Sequence, residues 1–199
     1  MKLGAGEELE LDAIDLQILQ TLQQDCKIPL ARIGDLVGLS APSVIDRIKK
    51  LEHSGVIRGY HAEIDGRQIG LDVTAFIGVL VEHPAGIEEF EMKVSALEGV
   101  LECHHVTGQH TLLLKVKTAN TSSLEKLIRQ IRSVHGVART ETMVVLSTHA
   151  ERSQLPLGAQ LEALRKPAGT PRRRGGRGNG ERKVLAIKPA DSAKPSAVP

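Results

Sequence analysis

At 199 residues, with 41% apolar and 25% charged side chains, the chain has room for one large domain or two small ones of ordinary globular composition. Its net charge of +2 is divided: residues 150–199 carry 11 Lys/Arg against 4 Asp/Glu, and the remainder carries 15 against 20. The main body is therefore mildly acidic, so nucleic-acid binding there cannot rest on bulk attraction and needs a local basic patch, while no apolar run is long enough to cross a bilayer.

Residues 1–10 read as a short flexible lead without the apolar core of a signal peptide. Cys26 and Cys103 match no metal-ligand or redox spacing, which points to a reducing cytoplasm with both thiols buried or idle. Leu11, Ile14, Ile18, Leu19 and Leu22 recur at helical spacing and predict a helix over 13–24 with Asp12 as its N-cap. Pro29 suits the first turn of a second helix whose buried stripe is Leu30, Ile33, Leu36 and Val37, and Gly34 on it permits close helix packing. Gly38 ends that helix in the left-handed region, and Ser40 caps a third helix that runs to His53.

The third helix carries the chemistry. Val44, Ile48 and Leu51 fall on one face, while Ser43, Asp46, Lys50 and His53 point the other way, flanked by Arg47 and Lys49. Val56 to Ile64 reads as a wing and a linking strand. Turn, cap, basic face and ribbon in that order are the pattern of a winged helix-turn-helix over 11–71. On a helix lying in the major groove, Ser43 and Asp46 would approach base edges, and Lys49 and Lys50 would reach phosphates. Ser40 at the start of that helix is also a candidate DNA contact, Arg32 and Arg58 are backbone contacts at most, and Arg47 at the border of the apolar face suits an ion pair as well as a DNA contact.

From residue 72 to 150 the texture changes. Val73 to Val81 is a strand with apolar residues on both faces, which suggests that the open face meets another subunit. Ile87, Phe90, Val94 and Leu97 mark a helix, Val100–Val106 and Leu112–Val116 two strands, and Ser122 to Glu125 a capping box opening a helix with Leu124, Leu127, Ile128 and Ile131. Thr140–Leu146 is the last strand. The order is a ferredoxin-like βαββαβ unit, so the fold class is α+β. A faint repeat supports it: Leu97-Glu-Gly-Val100 is echoed by Val134-His-Gly-Val137.

Residues 151–199 read as a basic, largely disordered tail, with Leu155, Leu157, Leu161 and Leu164 able to extend a short helix. From Lys166 onward the composition is too poor in large apolar residues to bury a core. The segment Pro171-Arg-Arg-Arg-Gly-Gly-Arg-Gly178 reads either as solvated charge or as extra sequence-independent DNA affinity through counterion release.

Leu11-Asp12, Asp15, Ile18-Leu19, then Val37-Gly38-Leu39-Ser40, and Val44, Arg47-Ile48, Leu51-Glu52 and Gly55-Val56-Ile57 together resemble the Lrp/AsnC (leucine-responsive regulatory protein) family of transcription regulators, over about residues 11–150. The resemblance implies a regulator of transcription that binds a palindromic operator in double-stranded DNA as a homodimer or larger ring. It also implies a small amino-acid-like effector at interfaces between dimers, with Thr107, Gly108, Gln109, His110 and Thr111 as the candidate loop. Many members carry an Asp and an aromatic residue after that glycine, whereas this chain has Gln109 and His110.

His104, His105 and His110 cluster around the middle strands, but His104 and His105 point to opposite sheet faces, so interface or structural roles suit them better than one metal site. No metal, cofactor, catalytic residue or membrane partner is expected. The alternatives are an enzyme similar to the siroheme decarboxylases, disfavoured by the scarcity of aromatic residues (Phe76, Phe90 and Tyr60), and a small-molecule sensor that does not bind DNA.

Overall fold

The computed structural model describes residues 9–83, 86–165 and 184–187. They form two compact units, one built from residues up to His61 and from Arg152 onward, the other from Ala62–Glu151.

In the first unit, strand β1 (Leu9–Leu11) leads into helix α1 (Ala13–Gln24), followed by α2 (Leu30–Val37) and α3 (Ala41–His53). Asp12 caps α1 as expected. Its carboxylate accepts from the backbone N–H groups of Ile14 and Asp15, and Asp15 returns the bond to the Asp12 N–H. The turn between α2 and α3 is set by Gly38, at φ 72°, and by the close approach of Gly34 to the next segment. A methyl group on Gly34 would collide with the backbone carbonyl of Leu39, so only glycine lets α2 meet the turn at this distance. Leu11, Leu16, Ile18, Ile33, Val44, Ile48 and Leu51 form the core.

One expectation fails here. Val56 to Ile64 forms no strand, so the structure has a helix-turn-helix without the predicted wing. The segment instead returns along α3: the Ile57 N–H donates to the Leu51 carbonyl, and Tyr60 Oη donates to Glu52 at 2.9 Å. Burial, then the Glu52 carboxylate, push the Tyr60 phenol up to about 12. The short helix expected around Leu161 and Leu164 is present, and two short strands stand beside it, one at the edge of the expected flexible lead and one within the basic tail. Leu9–Leu11 pairs antiparallel with strand β6 (Leu185–Ile187), and helix α6 (Gly158–Arg165) packs against α1. Leu161 is buried in the same core as Ile18, with Leu164 and Leu185 packed beside it. Average composition after Lys166 hid the apolar cluster Val184 to Ile187. The Arg-rich segment 171–178 lies outside the described residues.

The second unit opens with a short 3-10 turn, Gly66–Ile69, and then runs β2 (Val73–Val81), α4 (Ile87–Ser95), β3 (Val100–His105), β4 (Leu112–Thr118), α5 (Thr121–Arg132) and β5 (Val137–Val144). The sheet order is β3-β4-β2-β5, all antiparallel, which is the ferredoxin-like arrangement. Both helices cover one face. Phe90, Val94, Leu124, Leu127 and Ile131 pack on Ala75, Ile77, Val79, Leu112, Leu114 and Val116.

The sequence repeat is structural. Gly99 and Gly136 both adopt positive φ (92° and 87°), and each closes a turn in which the next valine N–H donates three residues back, to Leu97 and to Val134, before entering β3 and β5. The capping box of α5, however, is Asn120 with Ser123 rather than Ser122 with Glu125. Asn accepts the N3 N–H as well as Ser does, and it stands where Thr118 leaves the sheet. Strand β5 also starts at Val137, three residues earlier than predicted, because its first residues pair across a bulge at Leu80 and Val81. Cys26 is exposed and Cys103 half-buried, both as free thiols, and the Cys103 thiol is pushed up by burial and then by Glu91.

Candidate nucleic-acid interface

The helix-turn-helix positions α3 from both ends. Ser40 Oγ accepts from the Ser43 N–H at 3.4 Å and lies 2.9 Å from Ser43 Oγ, so the hydroxyl expected to face a base is engaged at the helix start. At the other end the Ser54 N–H donates to the Lys50 carbonyl, and His53 Nδ1 lies 2.6 Å from the Lys49 carbonyl. Between them Val44, Ile48 and Leu51 are buried, which turns Asp46, Lys49 and Lys50 to solvent. Arg32 on α2 and Arg58 after α3 are also exposed.

Arg47 is placed differently. Its Nη1 sits 2.7 Å from Asp15 Oδ1 and 2.9 Å from Asp12 Oδ2, and it binds both Asp12 oxygens. Burial by itself would raise the Asp12 pKa. The bonds from the Asp15 backbone and the Arg47 guanidinium outweigh it and hold the carboxyl below its usual range. Burial likewise disfavours charge on Arg47, and Asp15 and Asp12 more than compensate. The carboxylate of Asp15, on a residue only 4% exposed, is thereby satisfied. In the sequence Asp12 was visible as a cap, Arg47 as a border residue suited to an ion pair, and Asp15 only within the family pattern; their convergence follows from the crossing of α1 and α3.

A groove of about 480 Å³ runs beside α3, lined by Glu10, Asp12, Asp46, Arg47, Lys50 and Val184. Its mixed charge keeps the basic surface of the helix local, on Lys49 and Lys50.

The candidate effector loop lies in the second unit. Val106 N–H donates to the Thr111 carbonyl, Thr111 N–H donates to Val79, and Thr111 Oγ1 accepts from the Val81 N–H. Thr111 is thus bound into the sheet, while Thr107, Gly108 and Gln109 are exposed. His110 folds over Gly78 on the sheet face opposite the helices: a methyl group there would come within 2.5 Å of the ring. Its Nε2 lies 3.4 Å from Glu141 on β5, which supplies next to the loop a carboxylate that the loop itself lacks. The same face carries Phe76, Leu80, Leu113 and Met143, together with an ionic network in which Lys115 binds Glu102 at 3.3 Å and also Glu151. The His104 hydrogen bond, opposed by burial and joined by Lys115, holds Glu102 below its usual range.

Residues 11–52 match the AsnC-type helix-turn-helix domain, and residues 74–155 match the Lrp/AsnC ligand binding domain. The chain belongs to the Lrp/AsnC family. The HTH-type transcriptional regulator FL11 of Pyrococcus abyssi is 37% identical over 75% of this chain and 98% of its own length. Among solved structures, a Neisseria meningitidis transcriptional regulator in complex with L-methionine is 28% identical with a TM-score of 0.71, covering 75% of this chain and 99% of that one. A feast or famine regulatory protein of M. tuberculosis complexed with L-methionine is 30% identical with a TM-score of 0.69, covering 73% and 98%. The two domains expected of an Lrp/AsnC transcriptional regulator are therefore both present, and α6 and β6 lie beyond the part of the chain that the family matches cover.

Proposed function

We propose that this Lrp/AsnC protein is a cytoplasmic homo-oligomer that reads a roughly palindromic DNA operator with two copies of α3 and responds to an amino-acid-like effector. The observation that carries the DNA reading is the division of α3, with Val44, Ile48 and Leu51 buried beneath a capped helix whose Asp46, Lys49 and Lys50 remain free. Asp46 accepts from a cytosine amino group in the major groove, where near a phosphate it would repel. Lys49, Lys50, Arg32 and Arg58 neutralise phosphates, with Ser40 and Ser43 at the helix start close to the backbone. Arg47 acts through Asp12 and Asp15 as a positioning residue and does not itself touch DNA.

The open sheet face supports the oligomer. Leu80 and Met143 are 40% and 45% exposed there, next to Phe76, and a second copy of the same face would remove them from water. With half-sites on one side of the duplex, their centres lie about one helical turn apart, roughly 34–36 Å. Complexes of two relatives with L-methionine support an amino-acid effector. In this chain Glu141 is the carboxylate available to its ammonium group and Thr107–Thr111 the adjoining loop. The effector shifts the oligomer balance only by binding one state better than another. The named relatives are regulators, which favours this reading over the enzymatic one. Thermal melting with and without L-methionine, for the native chain and Glu141→Gln, tests the effector: stabilisation lost in the variant supports it, and an unchanged melting curve of the native chain contradicts it.

A further inference from the structure

We propose that the C-terminal extension is a clasp that positions α3 for reading DNA, acting through β1 and the Asp12–Arg47 pair; this rests on the reading of α3 as the DNA-contacting helix. Three separate attachments fasten the chain from Gln154 onward, the last residues of the family match and the extension beyond them, along α1. At the end of α1, the Leu155 N–H donates to Gln23 Oε1 at 2.7 Å, Gln23 Nε2 donates to the Leu155 carbonyl at 3.3 Å, and Gln154 Nε2 donates to the Gln23 carbonyl at 2.9 Å. Further on, α6 buries Leu161 to 6% exposure in the core that holds Ile18 and Leu51. At the start of α1, β6 pairs with β1 in the register Leu11↔Leu185.

The last attachment matters most. β1 pairs with β6 in a two-stranded sheet of its own. A three-residue ribbon is barely stable by itself, so its position depends on Leu185 packing into the core below it. One peptide bond separates Leu11 from Asp12, which caps α1 and binds Arg47 of α3. Val184, immediately before β6, lines the same groove as Asp46 and Lys50. Seating β6 therefore fixes where Asp12 stands, and Asp12 with Asp15 fixes the roll of α3 about its axis. Base readout tolerates little error in that roll, whereas phosphate attraction is insensitive to it. The extension also adds apolar surface to a three-helix core that is otherwise small.

The experiment uses the full chain with Leu185→Asp, which unseats β6, and Leu185→Ala as a milder change that keeps the backbone ladder. Affinity is measured for a site selected from random DNA and for unselected DNA, over a range of salt. The clasp predicts that Leu185→Asp lowers the preference for the selected site about fivefold to tenfold, with the salt slope on unselected DNA unchanged, and that Leu185→Ala lowers it less. It also predicts that Leu185→Asp costs little further discrimination in an Arg47→Lys background, because both changes act on one path. Discrimination equal to that of the native chain in both Leu185 variants, or additive losses with Arg47→Lys, overturns the clasp. A native chain that prefers no site over random DNA overturns the DNA reading beneath it, which keeps the two failures apart.

Discussion

Arg47 on α3 and Asp15 on α1 meet at 2.7 Å, with Asp12 closing the triad, so α3, the helix proposed to read DNA, is held to its neighbour by charge as well as by packing. Replacing Arg47 by Ala leaves Asp15 buried without its counter-charge. The expected loss is about 3 kcal/mol, the lower end for a broken buried pair, since Asp15 keeps its bond to the Asp12 N–H. Urea unfolding measures it. Arg47→Lys keeps the charge, but its ammonium ends one bond short of Nη1, the atom that meets both carboxylates, so it should fall between the native chain and Arg47→Ala.

The same triad sets an acid dependence. Asp12 titrates below its usual value in the folded state. Its contribution is therefore complete above the unfolded value of about 3.9 and is lost as pH falls through the lower folded value. The urea midpoint should decline below about pH 4. In Asp12→Asn that part of the decline should vanish, together with part of the stability at neutral pH.

Gly34→Ala should destabilise the first unit although alanine favours helix. The new methyl meets the Leu39 carbonyl, a backbone atom that yields only if the turn into α3 moves. A loss of about 1–3 kcal/mol is expected, read from the melting temperature. Gly78→Ala is the counterpart in the second unit, where the His110 ring can rotate away, so the cost is smaller and falls on the His110–Glu141 contact.

Much of this was legible before the structure. Asp12, Gly38 and Ser40 announce helix ends because a cap is a local rule, and the Gly-Val repeat announces two like turns for the same reason. The burial of Val44, Ile48 and Leu51 follows from period alone. The sequence misled where the deciding contact was distant. Val56 to Ile64 has strand-like residues but no partner strand, since Tyr60 folds back on Glu52. Leu185 looks like part of a polar tail until β1, 174 residues earlier, gives it a partner. Glu141 joins the candidate effector site only through the β2–β5 register.

On DNA, Lys50→Ala should weaken binding to specific and random sequences alike and reduce the salt slope by about one. Asp46→Ala should do the opposite on unrelated DNA, tightening it slightly by removing a repulsive charge, while relaxing preference at one base position of each half-site. Competition binding at two salt concentrations separates the two behaviours.

The most direct measurement is selection of bound fragments from a random DNA pool by the full chain, repeated with Asp46→Ala. Two inverted half-sites about one helical turn apart, with a base preference that changes in the variant, are the predicted outcome. A pool that shows no enriched sequence, or one that Asp46→Ala enriches identically, contradicts the assignment of α3 as the reading helix.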